Sequence, residues 1–118
     1  MWEFRLRMVA AARNGQTRVS ADRMNMPNRW RPASVLDPQT GDHFTHLTAW
    51  EFVACCLENP SVVVRETIIH SIRQLKSKIA YEWVCLGPYP DQNIYIKIFP
   101  IVNGKNILGI SFHPDDPR

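Results

Sequence analysis

The side chains of this chain best suited to chemistry are Tyr95, Lys97, Ser111 and His113, drawn from the runs I-Y-I-K and I-S-F-H. An imidazole titrating at about 6.5 serves as acid or base near neutral pH. An ammonium stabilises charge that develops on phosphate, and a phenol stacks on a base or passes a proton. Metal-free cleavage of RNA needs those parts: a base for the 2′-OH proton, an acid for the departing 5′-oxygen, and a cation for the phosphorane. In this scheme His113 is acid or base, Lys97 stabilises phosphate, and Ser111 orients His113. Arg65 or Arg73 adds phosphate grip if its segment borders the same surface. Arg29-Trp30-Arg31 sets two guanidiniums beside an indole, which either stacks on a base or anchors a long loop to the core. The bland alternative is that Lys97 and His113 decorate a wetted sheet face.

These groups must be positioned by the stretch from Asn93 to His113. Two alternating apolar runs flank Asn103-Gly104, a strong hairpin signal because both residues tolerate positive φ. A bare two-residue loop pairs Val102 with Lys105, and that register sets Ile96 against Ser111 and mixes both faces. A shift of one residue gives clean faces. Ile94, Ile96 and Ile98 then share the core side with Leu108, Ile110 and Phe112, while Tyr95, Lys97, Ser111 and His113 share the other. Pro100 lacks an N–H for the ladder, so a bulge near it supplies the shift, and a three-residue loop would do the same. Burial of six apolar side chains outweighs a perfect ladder, and the clean-faced register is expected.

Along the rest of the chain, Met1 to Asn14 reads as a helix closed by Gly15, with Trp2, Leu6 and Val9 at helical spacing. Trp2, Phe4, Leu6 and Met8 also alternate, which leaves a strand open there. Arg5, Arg7, Arg13 and Arg18 make this end basic, as a solvated face or a nucleic-acid patch. Gln16 to Thr45 is irregular, interrupted by Pro27, Pro32 and Pro38. Thr48-Ala49-Trp50-Glu51 reads as a capping box opening a helix, with Leu47 and Phe52 as its staple; Pro60 ends it. Val64, Ile68, Ile72 and Leu75 recur at helical spacing, so a second helix is expected over Arg65 to Lys76, with a short strand as fallback. Ala80 to Leu86 reads as a strand with Tyr81, Trp83 and Cys85 on one face. The fold expected is α+β: two or three helices, then a three-stranded antiparallel sheet with the Asn-Gly hairpin at its centre. Residues 1–45 form a helix and Pro-rich arm, and residues 46–118 form the core domain.

Composition bounds the function. The chain has 118 residues, enough for one domain, and its 45% hydrophobic content argues against disorder. Fourteen Lys and Arg oppose 11 Asp and Glu, a net charge of +3 that permits an anionic partner without demanding one. No apolar run suits a membrane span and no signal peptide is evident, so a cytoplasmic location is expected. Cys55, Cys56 and Cys85 lack C-x-x-C spacing and read as reduced thiols of an intracellular chain. His43, His46, His70 and His113 lack metal-ligand spacing, so neither a metal nor a cofactor is expected.

Helices followed by a strand, then Ile94-Tyr95-Ile96-Lys97, Asn-Gly and Ile110-Ser111-Phe112-His113, resemble small RNase toxins of the RelE and MqsR type. The resemblance covers roughly Leu47 to His113. It places the chain beside the barnase–EndoU–colicin–RelE group of nucleases. It implies metal-independent endoribonuclease activity on a sheet face, with Tyr95, Lys97 and His113 at comparable positions. It also implies RNA as substrate and a cognate antitoxin or immunity protein as partner. A different class of function is a non-enzymatic interaction module: an antitoxin, immunity protein or adaptor that uses the Pro-rich arm or the exposed sheet face.

Overall fold

The computed structural model describes residues 2–19, 29–70, 72, 75–101 and 105–115. Its elements in chain order are α1 (Trp2–Arg13), β1 (Thr17–Val19), α2 (His46–Glu58), β2 (Arg65–Ile68), β3 (Ile79–Cys85), β4 (Ile94–Ile101) and β5 (Asn106–Pro114). The fold is α+β, with two helices against one face of a five-stranded mixed sheet of order β1-β5-β4-β3-β2. The expected antiparallel meander is present as β3 to β5. It is extended at one edge by β2, antiparallel to β3, and at the other by β1, parallel to β5.

Gly15, at φ +73°, closes α1 as its sequence position suggests. The buried side of α1 differs from expectation. Trp2 and Leu6 are exposed, and the stripe that enters the core is Arg5, Met8, Val9 and Ala12. Arg5 is 6% exposed and spends its guanidinium on the end of α2. Its nitrogens donate to the carbonyls of Leu57 (2.7 Å), Asn59 (2.8 Å), Cys56 (3.1 Å) and Val62 (3.1 Å). The last carbonyls of a helix have no partner within it and carry its negative dipole end, so a buried cation answers both needs. The exposed Arg13 pairs with Glu51 and Glu58 of α2. Solvent screening makes that link the minor one.

The start of α2 lies three residues before the expected cap. Thr45 is the N-cap, and it exchanges hydrogen bonds with Thr48 in a reciprocal capping box. Thr-x-x-Thr does locally what Thr-x-x-Glu was expected to do one turn later. Leu47 is 80% exposed, so no staple forms; Phe52 instead packs against Phe44 at 5.0 Å. Where a helix was expected from Arg65, Arg65–Ile68 is strand β2, the fallback reading, and residues 71, 73 and 74 of the expected helix lie outside the described residues. Ile72 and Leu75, which kept the spacing of a helical stripe, instead join a small cluster with Ile69, Ala80 and Ile110 on the sheet face away from the helices.

The segment read as a Pro-rich arm contributes to the main core through Trp30, Val35 and Phe44. Its backbone runs beside β5: Arg31 N–H donates to Phe112 at 2.8 Å, and Phe112 N–H donates to Arg29 at 2.9 Å. The Trp30 ring stacks on Trp50 at 4.7 Å and meets Phe112 edge-on at 5.4 Å. It also lies flat on Gly109, where a β-carbon would come within 2.7 Å of the ring. A glycine inside a strand often marks such a close approach.

Two stability changes follow. Arg5→Met strands carbonyls at the end of α2 and lowers unfolding free energy by on the order of 3 kcal/mol, read as a lower urea midpoint. A substitution costing under about 0.5 kcal/mol would refute the capping role. Gly109→Ala forces the Trp30 ring off the sheet and costs about 1–3 kcal/mol, with altered tryptophan fluorescence in the folded state.

Candidate functional site

The register of the β4–β5 hairpin decides which side chains meet. Near the turn, Ile101 pairs with Asn106, Phe99 with Leu108 and Ile98 with Gly109. This is the register of a bare two-residue loop; Asn103 and Gly104 themselves lie outside the described residues. Between Ile98 and Lys97 the register shifts by one, so Lys97 pairs with Ser111, Ile96 with Phe112 and Tyr95 with His113. The bulge therefore falls at Ile110 and not near Pro100.

That position corrects the expected core face. Ile94, Ile96, Ile98 and Phe112 face the helices as anticipated. Leu108 and Ile110 fall on the opposite face, and Ile107 and Gly109 take the inner positions. Had the turn register continued, Phe112 would stand opposite Tyr95 and His113 would point into the core. Burying a side chain such as Phe112 or Ile110 is worth about 1.5–3 kcal/mol. One disturbed ladder bond costs about 1 kcal/mol, so the bulge wins.

The shift brings Tyr95, Lys97, Ser111 and His113 to one face. The rings of Tyr95 and His113 lie 5.3 Å apart, centre to centre. A second residue row crosses the sheet as Arg65, Glu82, Lys97 and Ser111, each the direct neighbour of the next. The Tyr95 hydroxyl donates to the Glu82 carboxylate. Burial first, then this bond and the Glu82 charge, raise the Tyr95 pKa, so the phenol keeps its proton.

His113 is half-buried, and its Nδ1 lies 2.8 Å from the carbonyl oxygen of Pro114. A carbonyl only accepts, so Nδ1 carries the proton and Nε2 keeps its lone pair in the neutral ring. Burial pushes the imidazole pKa below 6.5; Arg29 lowers it further, while the Pro114 bond and Asp115 pull it up. Arg29 reaches this neighbourhood because its backbone pairs beside Phe112. Arg29, Arg65 and Lys97 are thus three cations on or beside a face that also bears Glu82 and Asp115.

The other expected residues are distributed unevenly. Ser111 sits opposite Lys97 but is buried. Trp30, at 3% exposure, is a core anchor with no face for a base. Arg31 is exposed and lines a separate cleft with Pro32, Ser34, Phe44 and His46. Arg73 lies outside the described residues. Glu82 was missed, although alternation in I-A-Y-E-W-V-C sets it opposite Tyr81 and Trp83. Among the described residues no group of three or more His, Cys, Asp and Glu is placed to hold a metal ion, and no helix is long and apolar enough to cross a membrane. No protein-family model, curated protein or solved structure matches the chain.

The His113 shift carries a sign for stability. Unfolded, the ring titrates at about 6.5; folded, its pKa lies lower. The unfolded chain therefore binds more protons just below 6.5, and this contribution to stability, complete above that pH, is lost as pH falls through the folded value. Thermal midpoints measured from pH 7.5 to 5 should decline, and His113→Gln should flatten the upper part of that slope. An unchanged slope in the variant would show that the imidazole is not desolvated in the fold.

Proposed function

We propose that the face bearing His113, Tyr95 and Lys97 cleaves RNA without a metal ion. The reading rests on one observation, that the bulge sets the imidazole and the ammonium on the same side of the sheet. The resemblance to RelE- and MqsR-type toxins supports the same substrate class. His113 Nε2 takes the proton of the 2′-OH, whose oxygen bonds to the adjacent phosphorus. The bond from phosphorus to the 5′-oxygen breaks, leaving a 2′,3′-cyclic phosphate and, once that oxygen is protonated, a 5′-hydroxyl. Lys97 faces the charge that builds on the phosphorane, and Arg65 and Arg29 hold flanking phosphates. Tyr95 keeps its proton for Glu82 and acts as a positioning residue, holding a flat wall beside the imidazole. A neutral imidazole near pH 7 suits the base role better than the acid role.

The test is total RNA incubated with the purified full chain in EDTA. Fragments ending in 2′,3′-cyclic phosphate are expected. His113→Ala should lower the rate by about 10²–10⁴-fold. Lys97→Ala should lower it by about 10²–10³-fold, with the circular dichroism of the fold retained in both. The wild-type rate should climb with pH through a pKa below 6.5 and then level. Intact RNA under these conditions rejects the nuclease reading in favour of the interaction module, whose partner is a protein on this face.

A further inference from the structure

On the far side of α2 from Arg13, the helix meets β3 at a second chemically capable site. The Sγ atoms of Cys56 and Cys85 stand 3.2 Å apart, both as free thiols. That is only about 1.2 Å beyond an S–S bond, a gap that side-chain rotation closes. Both cysteines open onto a cleft of about 600 Å³, whose walls include Val62, Val84 and Leu86 with Asn59 and Arg65. Trp83, fully buried beside them, has an indole N–H without a conventional partner. Its nearness lowers the pKa of both thiols.

We propose that Cys85 and Cys56 form a reactive dithiol that is oxidised to an intramolecular disulfide by a small peptide disulfide entering this cleft. The two sulfurs are not equivalent. Cys85 is the more accessible of the two, and the hydrogen bond between the sulfurs pulls its pKa down against its burial while the Cys56 pKa is pushed up. Cys85 is therefore the nucleophile. Its thiolate attacks one sulfur of the incoming disulfide, forming a mixed disulfide and expelling one thiolate. That thiolate takes the Cys56 proton. Cys56 then attacks the Cys85 sulfur, closes the protein disulfide and expels the second thiolate. The protein loses two electrons and two protons, and the small disulfide becomes two thiols. Arg65 on the cleft wall offers a cation to a carboxylate of the peptide.

Cys55 is adjacent in sequence but excluded from the exchange. It also borders the cleft, but its sulfur is engaged by the ion-pair cluster, 3.6 Å from a Glu51 carboxylate oxygen and 3.8 Å from Arg13. Burial and Glu51 raise its pKa, which keeps it a thiol. The proposal is independent of RNA cleavage and stands or falls on sulfur chemistry alone.

The experiment treats the folded full chain with glutathione disulfide and counts free thiols. Three per chain are expected before treatment and one after, with a product two hydrogens lighter and a peptide joining Cys56 to Cys85. Cys55→Ser should leave the linkage unchanged. Cys56→Ser should trap glutathione on Cys85, because the resolving sulfur is gone. Three thiols surviving in the folded chain, or a link through Cys55 or between two chains, overturns the proposal. If Cys56→Ser fails to fold, the peptide map of the oxidised wild type decides.

Discussion

One extra residue in β5 governs the architecture. The register with which β4 and β5 begin, Ile101 against Asn106, conflicts with burial farther along the pair. Ile110 absorbs the conflict as the extra residue between the Ile98–Gly109 and Lys97–Ser111 pairs. Toward the turn, Leu108 and Ile110 serve the small outer cluster with Ile69 and Ala80. Beyond the bulge, Phe112 serves the main core, and its neighbours Ser111 and His113 are turned outward. The outer face is therefore divided. Its turn-proximal half is apolar and covered by the segment carrying Ile72 and Leu75, and its distal half carries Tyr95, Lys97 and His113. Bulges recur where a sheet must re-aim a side chain next to a functional surface.

The helical layer is held to this sheet by means that complement the bulge. Arg5 joins α1 to the end of α2, Trp30 bridges α2 and β5, and Gly109 makes room for that indole. Each contact crosses a large sequence separation, so residues before 46 are part of the frame that positions the site. The Trp30 anchor has a further consequence. By pinning its backbone beside Phe112, it delivers Arg29 to the neighbourhood of His113. The indole that would have stacked on a base is spent in the core, and the guanidinium beside it tunes the imidazole.

Local chemistry carried much of this into the sequence. Gly15 marked the end of α1, alternation marked β3, β4 and β5, and co-facial Tyr95, Lys97, Ser111 and His113 followed once one register step was allowed. What stayed hidden depends on contacts distant in sequence. The position of the bulge is set by a cluster that includes Ile69 and Ala80, residues no hairpin pattern reports. β2 was masked because Ile68, Ile72 and Leu75 keep helical spacing while serving a strand and its following segment. β1, at three residues, is too short to show a period. Arg5 reads as one solvated charge among four, since nothing local reveals the carbonyls waiting at the end of α2. Glu82 was legible in principle, because the strand pattern that put Trp83 inward required its neighbour to point outward.

The electrostatics of the polar face favour one proton assignment over its reverse. A base must be neutral before it acts, whereas a phosphate-binding group must stay charged, and the two demands usually conflict within one patch. Here desolvation and Arg29 both favour the neutral imidazole, and the Pro114 carbonyl fixes its remaining proton on Nδ1. Glu82 accepts the Tyr95 hydroxyl as one of its bonds. The phenol thus satisfies a carboxylate oxygen without giving up its proton, because its own pKa is raised. Asp115 opposes this arrangement by pulling the imidazole toward the charged form, but burial and Arg29 outweigh it in the net shift. A lone pair on Nε2, with Lys97 on the same face and Arg29 near enough to lower the imidazole pKa, is the combination that the proposed proton abstraction next to a phosphate requires.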